Sequence, residues 1–184
     1  MKERLEQVTR DLTAIADDAR NSFAALTVTQ LNWKPAAESW SIAQCLDHII
    51  KTNHEFYPEF DRLAAGGRKN TFWQNYSPFT GMAGRFLVNA VTVDSKKAKA
   101  PSKSIVPPSD IETGIVDRLT KNIADVSQKV MKCDGIDLKK TVVSSPFLSI
   151  MTYTLDDALS VLVEHSKRHI RQAKRVTEAS GFPG

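Results

Sequence analysis

Long apolar runs, cysteines and glycine-rich motifs are scarce in this chain of 184 residues, and each shortage removes a class of protein. No stretch of about 18 apolar residues occurs, so no membrane span is expected. The opening Met1-Lys-Glu-Arg-Leu-Glu-Gln is charged from its second residue and lacks an apolar signal core, so cytoplasmic residence is the expectation. Two cysteines, Cys45 and Cys133, are too few for a disulfide framework. Cys45 lies within a helical apolar pattern and reads as a small buried thiol. A Gly-rich phosphate loop, a Gly-x-Ser-x-Gly elbow and a Cys-x-x-Cys pair are all absent. No strand pattern of useful length and no internal repeat appears. Charge of one sign is also modest: 25 basic against 21 acidic residues gives a net +4. Part of that excess, Lys96, Lys97, Lys99 and Lys103, falls in one Pro/Ser-rich connector. This reads as a solvated loop, because a nucleic-acid surface wants clustered Arg and Lys with interleaved aromatics on a folded face.

What is present is a soluble globular composition, 41% hydrophobic and 25% charged, long enough for one domain spanning 1–184. From Lys2 to Ala25, Leu5, Val8, Leu12, Ile15, Ala19 and Phe23 recur at spacings of 3 and 4, a helix seam. A loop carrying Trp33 and Trp40 follows. Ser41 then reads as an N-cap with Gln44 completing a capping box, and Trp40 can staple against Cys45. The helix so started carries Ile42, Leu46, Ile49 and Ile50 inward, with a kink expected at Pro58 and an end at Gly66-Gly67. Residues 68–108 form a long connector, with an aromatic loop of Phe72, Trp73, Tyr76 and Phe79 and a short helix near Met82 to Val91. Ser109 and Glu112 make a second capping box, predicting a helix from Asp110 to Met131 stopped by Asp134-Gly135. Leu138 to Met151 reads as a loop. Thr154 with Asp157 caps the last long helix, Leu155 to Val176. The sum is an all-α fold, a four-helix bundle with long crossover connections.

The chain has four histidines, and two of them, His165 and His169, sit four residues apart in that last helix. Positions i and i+4 share a helix face, and here the face is the inward stripe of Leu155, Leu159, Leu162, Ala173 and Val176. Burying an imidazole without a partner costs about 1–3 kcal/mol, so two on adjacent turns need a shared explanation. A divalent metal supplies one, since neutral imidazole ligates zinc, nickel or iron. His48, in the Ser41–Ile50 helical run, offers a third ligand. Three histidines from two helices would leave coordination positions open, as in catalytic zinc sites, with donor atoms about 3–4 Å apart. A hydrogen-bonded polar core explains the same residues without metal. His54 lies roughly 240° round its helix from His48 and points elsewhere. Asp47 faces about 100° from His48 and is read as a surface or loop-contacting carboxylate, not a fourth ligand. Glu164 and Arg168 read as ordinary i,i+4 support. The helical His-Glu-x-x-His of metalloproteases is absent.

The segments Trp40-Ser-Ile-Ala-Gln-Cys-Leu-Asp-His48 and His165-Ser-Lys-Arg-His169-Ile-Arg-Gln172, with the connector before Pro107-Pro108-Ser109, resemble the DinB-like helical-bundle superfamily, which includes bacillithiol transferases. The resemblance spans nearly the whole chain. It implies a four-helix bundle, often dimeric, whose metal is held by three histidines. His48 matches the ligand on the second helix, and His165 and His169 match the pair on the last. It further implies zinc or nickel and, for several members, activation of a low-molecular-weight thiol. Two functions are therefore expected: a metal-dependent thiol S-transferase or hydrolase acting on a small molecule as a homodimer, or a non-catalytic metal-containing stress or small-ligand-binding module. No residue is nominated as general acid or base.

Overall fold

A computed structural model describes residues 2–67, 72, 74, 80–92, 102–148 and 150–184. Helix α1 spans Lys2–Phe23, α2 Val28–Asn32, α3 Ile42–Ala64, α4 Thr80–Thr92, α5 Ile115–Met131 and α6 Leu155–Thr177. Short strands β1, Val142–Ser144, and β2, Thr152–Thr154, pair antiparallel with Val143 opposite Tyr153. The four long helices α1, α3, α5 and α6 make the bundle. Helix α1 packs chiefly on α5 and α6, and α3 packs on the same two. The consecutive long helices α1 and α3 are thus diagonal, not adjacent, which is the crossover topology expected. Their seams meet in one core that includes Leu5, Leu12, Leu46, Ile49, Leu119, Val126, Leu159 and Leu162.

The helix ends show why the elements stop and start where they do. At α3, the Ser41 hydroxyl accepts from the Gln44 N–H and the Gln44 side chain accepts from the Ser41 N–H, a closed capping box. The helix runs on through Pro58 and ends in a Schellman turn: Gly66 N–H bonds to Leu63 C=O and Gly67 N–H to Arg62 C=O. Gly66 supplies the left-handed residue at φ +77°. Thr154 and Asp157 close an equivalent box on α6. The next two N–H groups of α6 are satisfied from outside, Leu155 by the Thr141 carbonyl and Asp156 by that of Leu138.

Three regions differ from the sequence expectation. Helix α5 begins at Ile115, not Asp110, behind a left-handed Gly114 with no side-chain cap. The expected Ser109–Glu112 box does not form there, because the Asn32 side chain takes both backbone groups of Ile111, accepting from its N–H at 3.0 Å and donating to its C=O at 2.8 Å. A helix cannot use groups already spent on a tertiary clamp. The short helix α2, with its own Thr27–Gln30 box, arises inside a stretch read as loop. The loop 138–151 contains β1 and leads into β2, a ribbon too short to show as an alternating pattern. Of the aromatic loop, Phe72 is exposed, and Trp73, Tyr76 and Phe79 lie outside the described residues, as do Lys96, Lys97 and Lys99. Helix α4 lies along α6, where Gly84 meets the Asp157 carboxylate so closely that any Cβ would collide. No helix among the described residues is long and apolar enough to cross a membrane.

Candidate metal centre

The capping box fixes the first turn of α3, and with it the direction of everything one and two turns later. Gln44, His48 and Lys51 follow on one face at spacings of 4 and 3. All three reach the connector that precedes α5. The Gln44 amide donates to the Pro108 carbonyl at 2.9 Å, His48 Nδ1 to the Ile105 carbonyl at 2.7 Å, and Lys51 Nζ to the Val106 carbonyl at 3.1 Å. The turn Lys103–Ile105 is thereby laid along α3. For His48 the consequence is chemical. A carbonyl only accepts, so Nδ1 carries the proton and Nε2 presents a lone pair inward.

Opposite, α6 delivers its two histidines from the seam that buries Leu162, Ser166 and Ala173. His48 Nε2 and His165 Nε2 are 3.2 Å apart. Ring centroids are 5.0 Å for His48–His165, 4.5 Å for His48–His169 and 4.5 Å for His165–His169. One nitrogen from each ring lies within 4.8 Å of the others, a looser set than the 3–4 Å expected. His169 Nδ1 donates to Gln172 Oε1 at 3.0 Å, which turns its Nε2 to the cluster in the same way. His165 Nδ1 is buried with no hydrogen-bond partner among the described residues. Such an orphan costs about 1–3 kcal/mol.

The surroundings hold all three rings neutral. Burial pushes His165 down to about 3, aided by the fields of His48 and Arg168. Burial likewise lowers His169 well below its ordinary range, reinforced by His165, His48 and Arg168 and only partly opposed by Gln172. Burial lowers His48, against the opposing Ile105 hydrogen bond. Two neutral imidazoles with lone pairs turned inward, and a third neutral ring within reach of both, are a donor set suited to a divalent cation. The residues present therefore fit a metal.

Sequence reasoning placed the three histidines on facing stripes, and the structure brings them together. It missed three supports. Trp40 does not merely precede the cap: its ring lies 4.7 Å from that of His48 and stacks 5.7 Å from that of His169. Gln172 was legible in principle, as the residue one turn beyond His169. The Ile105 carbonyl was not, since nothing local ties residue 105 to residue 48. His54 is exposed against Tyr57, away from the cluster. Asp47 pairs with Lys51 at 3.0 Å, and Glu164 with Lys167 at 3.1 Å. Arg168 donates to the Ala90 carbonyl of α4.

A family model described as the DinB superfamily matches residues 11–173. No curated protein sequence matches the chain. Among solved structures, YfiT from Bacillus subtilis, described as a probable metal-dependent hydrolase with an unusual four-helix bundle topology, is similar to this chain. The TM-score is 0.61 at 16% identity, over 100% of this chain and 91% of that one.

Proposed function

Because this chain belongs to the DinB superfamily and its fold carries three neutral histidines to one point, we propose that it is a metal-dependent enzyme with His48, His165 and His169 as the ligands. The cation is zinc or nickel, the reaction a hydrolysis or a thiol S-transfer, and the substrate a small molecule. The observation that carries this reading is the convergence of the three rings with Nδ1 of two of them committed to Ile105 and Gln172. Second-sphere acceptors of this kind orient metal-ligating histidines. The hydrolase alternative gains support from the description of YfiT, a protein of the same fold.

When bound, such a cation lowers the pKa of a coordinated water or thiol, producing a nucleophile near neutral pH. The chain's own residues do the rest. Ile105 and Gln172 hold the His48 and His169 tautomers, and Trp40 walls one side of the rings. The core cluster draws on α1, α3, α5 and α6 together, which supports a single domain spanning 1–184.

The second reading, a non-catalytic metal-containing module, is favoured by one observation: the carboxylate beside His48, Asp47, is tied to Lys51 and not presented to the cluster. Metal analysis of the purified protein, followed by hydrolase and thiol-transfer assays on wild type and His169→Ala, separates the two. Bound metal with turnover lost in the variant supports the enzyme. Bound metal without turnover of any ester, amide or thiol-acceptor substrate supports the module. Protein that takes up neither zinc nor nickel overturns both.

A further inference from the structure

Two turns along the α3–α6 seam from the histidines lies a feature that the metal reading does not use. A cleft of about 310 Å³ opens between the middle of α3, the β1 end of the ribbon and the start of α6. From His48 to Glu55, and from His165 to Ala158, is seven residues each, about 10 Å along the helix axes. Thr52 and Leu162 lie between and are buried, so the cleft is closed off from the histidines. Its walls are mainly apolar. Phe56 and Phe60 stack at 6.1 Å, Pro58, Pro146 and Leu155 extend that surface, and Ser144 and Ser145 line the ribbon side. A volume at the lower end of the small-molecule range, with aromatic walls and few polar groups, has the make-up of a ligand pocket.

The polar groups decide the class of ligand. Two carboxylates line the cleft, those of Glu55 and Glu59. Glu59 is neutralised, because both its oxygens accept from Arg62 at 2.8 Å. Among the described residues, Glu55 has no ion-pair partner and no cationic side chain lines the cleft. A carboxylate without a counter-charge, set beside an apolar wall, favours a positive charge by direct attraction. We propose that this cleft binds a small organic cation, an amine with an apolar body, independently of the histidine centre.

The test uses the full chain and three probes of one shape, 2-phenylethylamine, 2-phenylethanol and phenylacetate, read by backbone amide chemical shifts. The amine should give saturable shifts mapping to residues 55–60 and 143–146, with the alcohol about tenfold weaker and the acid weaker still. Glu55→Gln should bring the amine down to the affinity of the alcohol while leaving the alcohol unchanged. Ser144→Phe, which fills the cleft from the ribbon side, should abolish binding of both. His169→Ala should bind the amine as wild type does, which separates this site from the metal reading. Equal binding of amine and acid, an amine preference that survives Glu55→Gln, or shifts mapping to another face would overturn the proposal. Glu55 is a partly exposed helix residue whose neutral variant keeps the fold, so the test stands even if Ser144→Phe does not fold.

Discussion

The seam between α3 and α6 has two ends built from the same helices with different chemistry. At one end Leu155, Leu159, Phe56 and Phe60 meet, all buried. At the other, His48 and His169 are buried nearly as deeply, and the His165 ring lies 5.0 Å and 4.5 Å from theirs. The helical period that turns leucines inward at one end turns imidazoles inward at the other. Burial stabilises the first end by roughly 25 cal/mol per Å² of apolar surface. It costs free energy at the second, where each ring needs a partner, and His165 Nδ1 has none among the described residues. The histidine end is therefore sustained by the apolar packing of the rest of the bundle.

The sharpest break between the two ends is expected from His169→Ala. Removing one of three ligands should weaken zinc or nickel binding by on the order of a hundred- to a thousandfold, while circular dichroism still reports a folded helical protein. If the variant unfolds, the two ends are not energetically separate and the metal is structural. Leu159→Ala should do the reverse. It should lose about 2–5 kcal/mol in denaturant titration and leave the metal affinity of the folded fraction unchanged. A loss under about 1 kcal/mol there would mean that the core face is misassigned.

Gln172→Ala tests the support of the histidine end alone. Metal affinity should fall about tenfold with little change in melting temperature, since only the orientation of His169 is released. Acid should then distinguish the ends in metal-free protein. An unfolded imidazole takes up a proton near 6.5, whereas folded His165 resists until about 3. The unfolded state therefore binds more protons in that window, and stability is full above about 6.5 and falls as pH drops towards 3, by at most about 1.4 kcal/mol per pH unit for each ring held neutral. Leu159→Ala should keep this slope and His169→Ala should flatten it; equal slopes in both would refute the assignment. The smallest effects belong to the caps. Ser41→Ala at the histidine end and Thr154→Ala at the leucine end should each cost about 1 kcal/mol, measured by chemical denaturation.

Much of the bundle could be read before any coordinates, and the reason is range. The seam of α1, the boxes Ser41–Gln44 and Thr154–Asp157, and the Gly66-Gly67 stop are all settled within four residues of chain. The Thr27–Gln30 box was equally local, but the five-residue α2 it starts is too short to carry a periodic pattern. The start of α5 was misplaced because a local signal, Ser109 with Glu112, lost to a clamp from Asn32, 79 residues away.

The sequence by itself determined an all-α chain, the three histidines and the inward faces that carry them, because helical period and capping depend only on near neighbours. Tertiary structure alone decided what those histidines face. The Ile105 carbonyl reaches His48 across 57 residues, and His48 reaches His165 across 117. It also decided that Trp40 lies over the rings, and that a cleft bordered by Glu55 opens two turns away. No local pattern encodes such pairings, since they follow from how four helices and a connector pack, and only packing sets which buried polar atoms find partners.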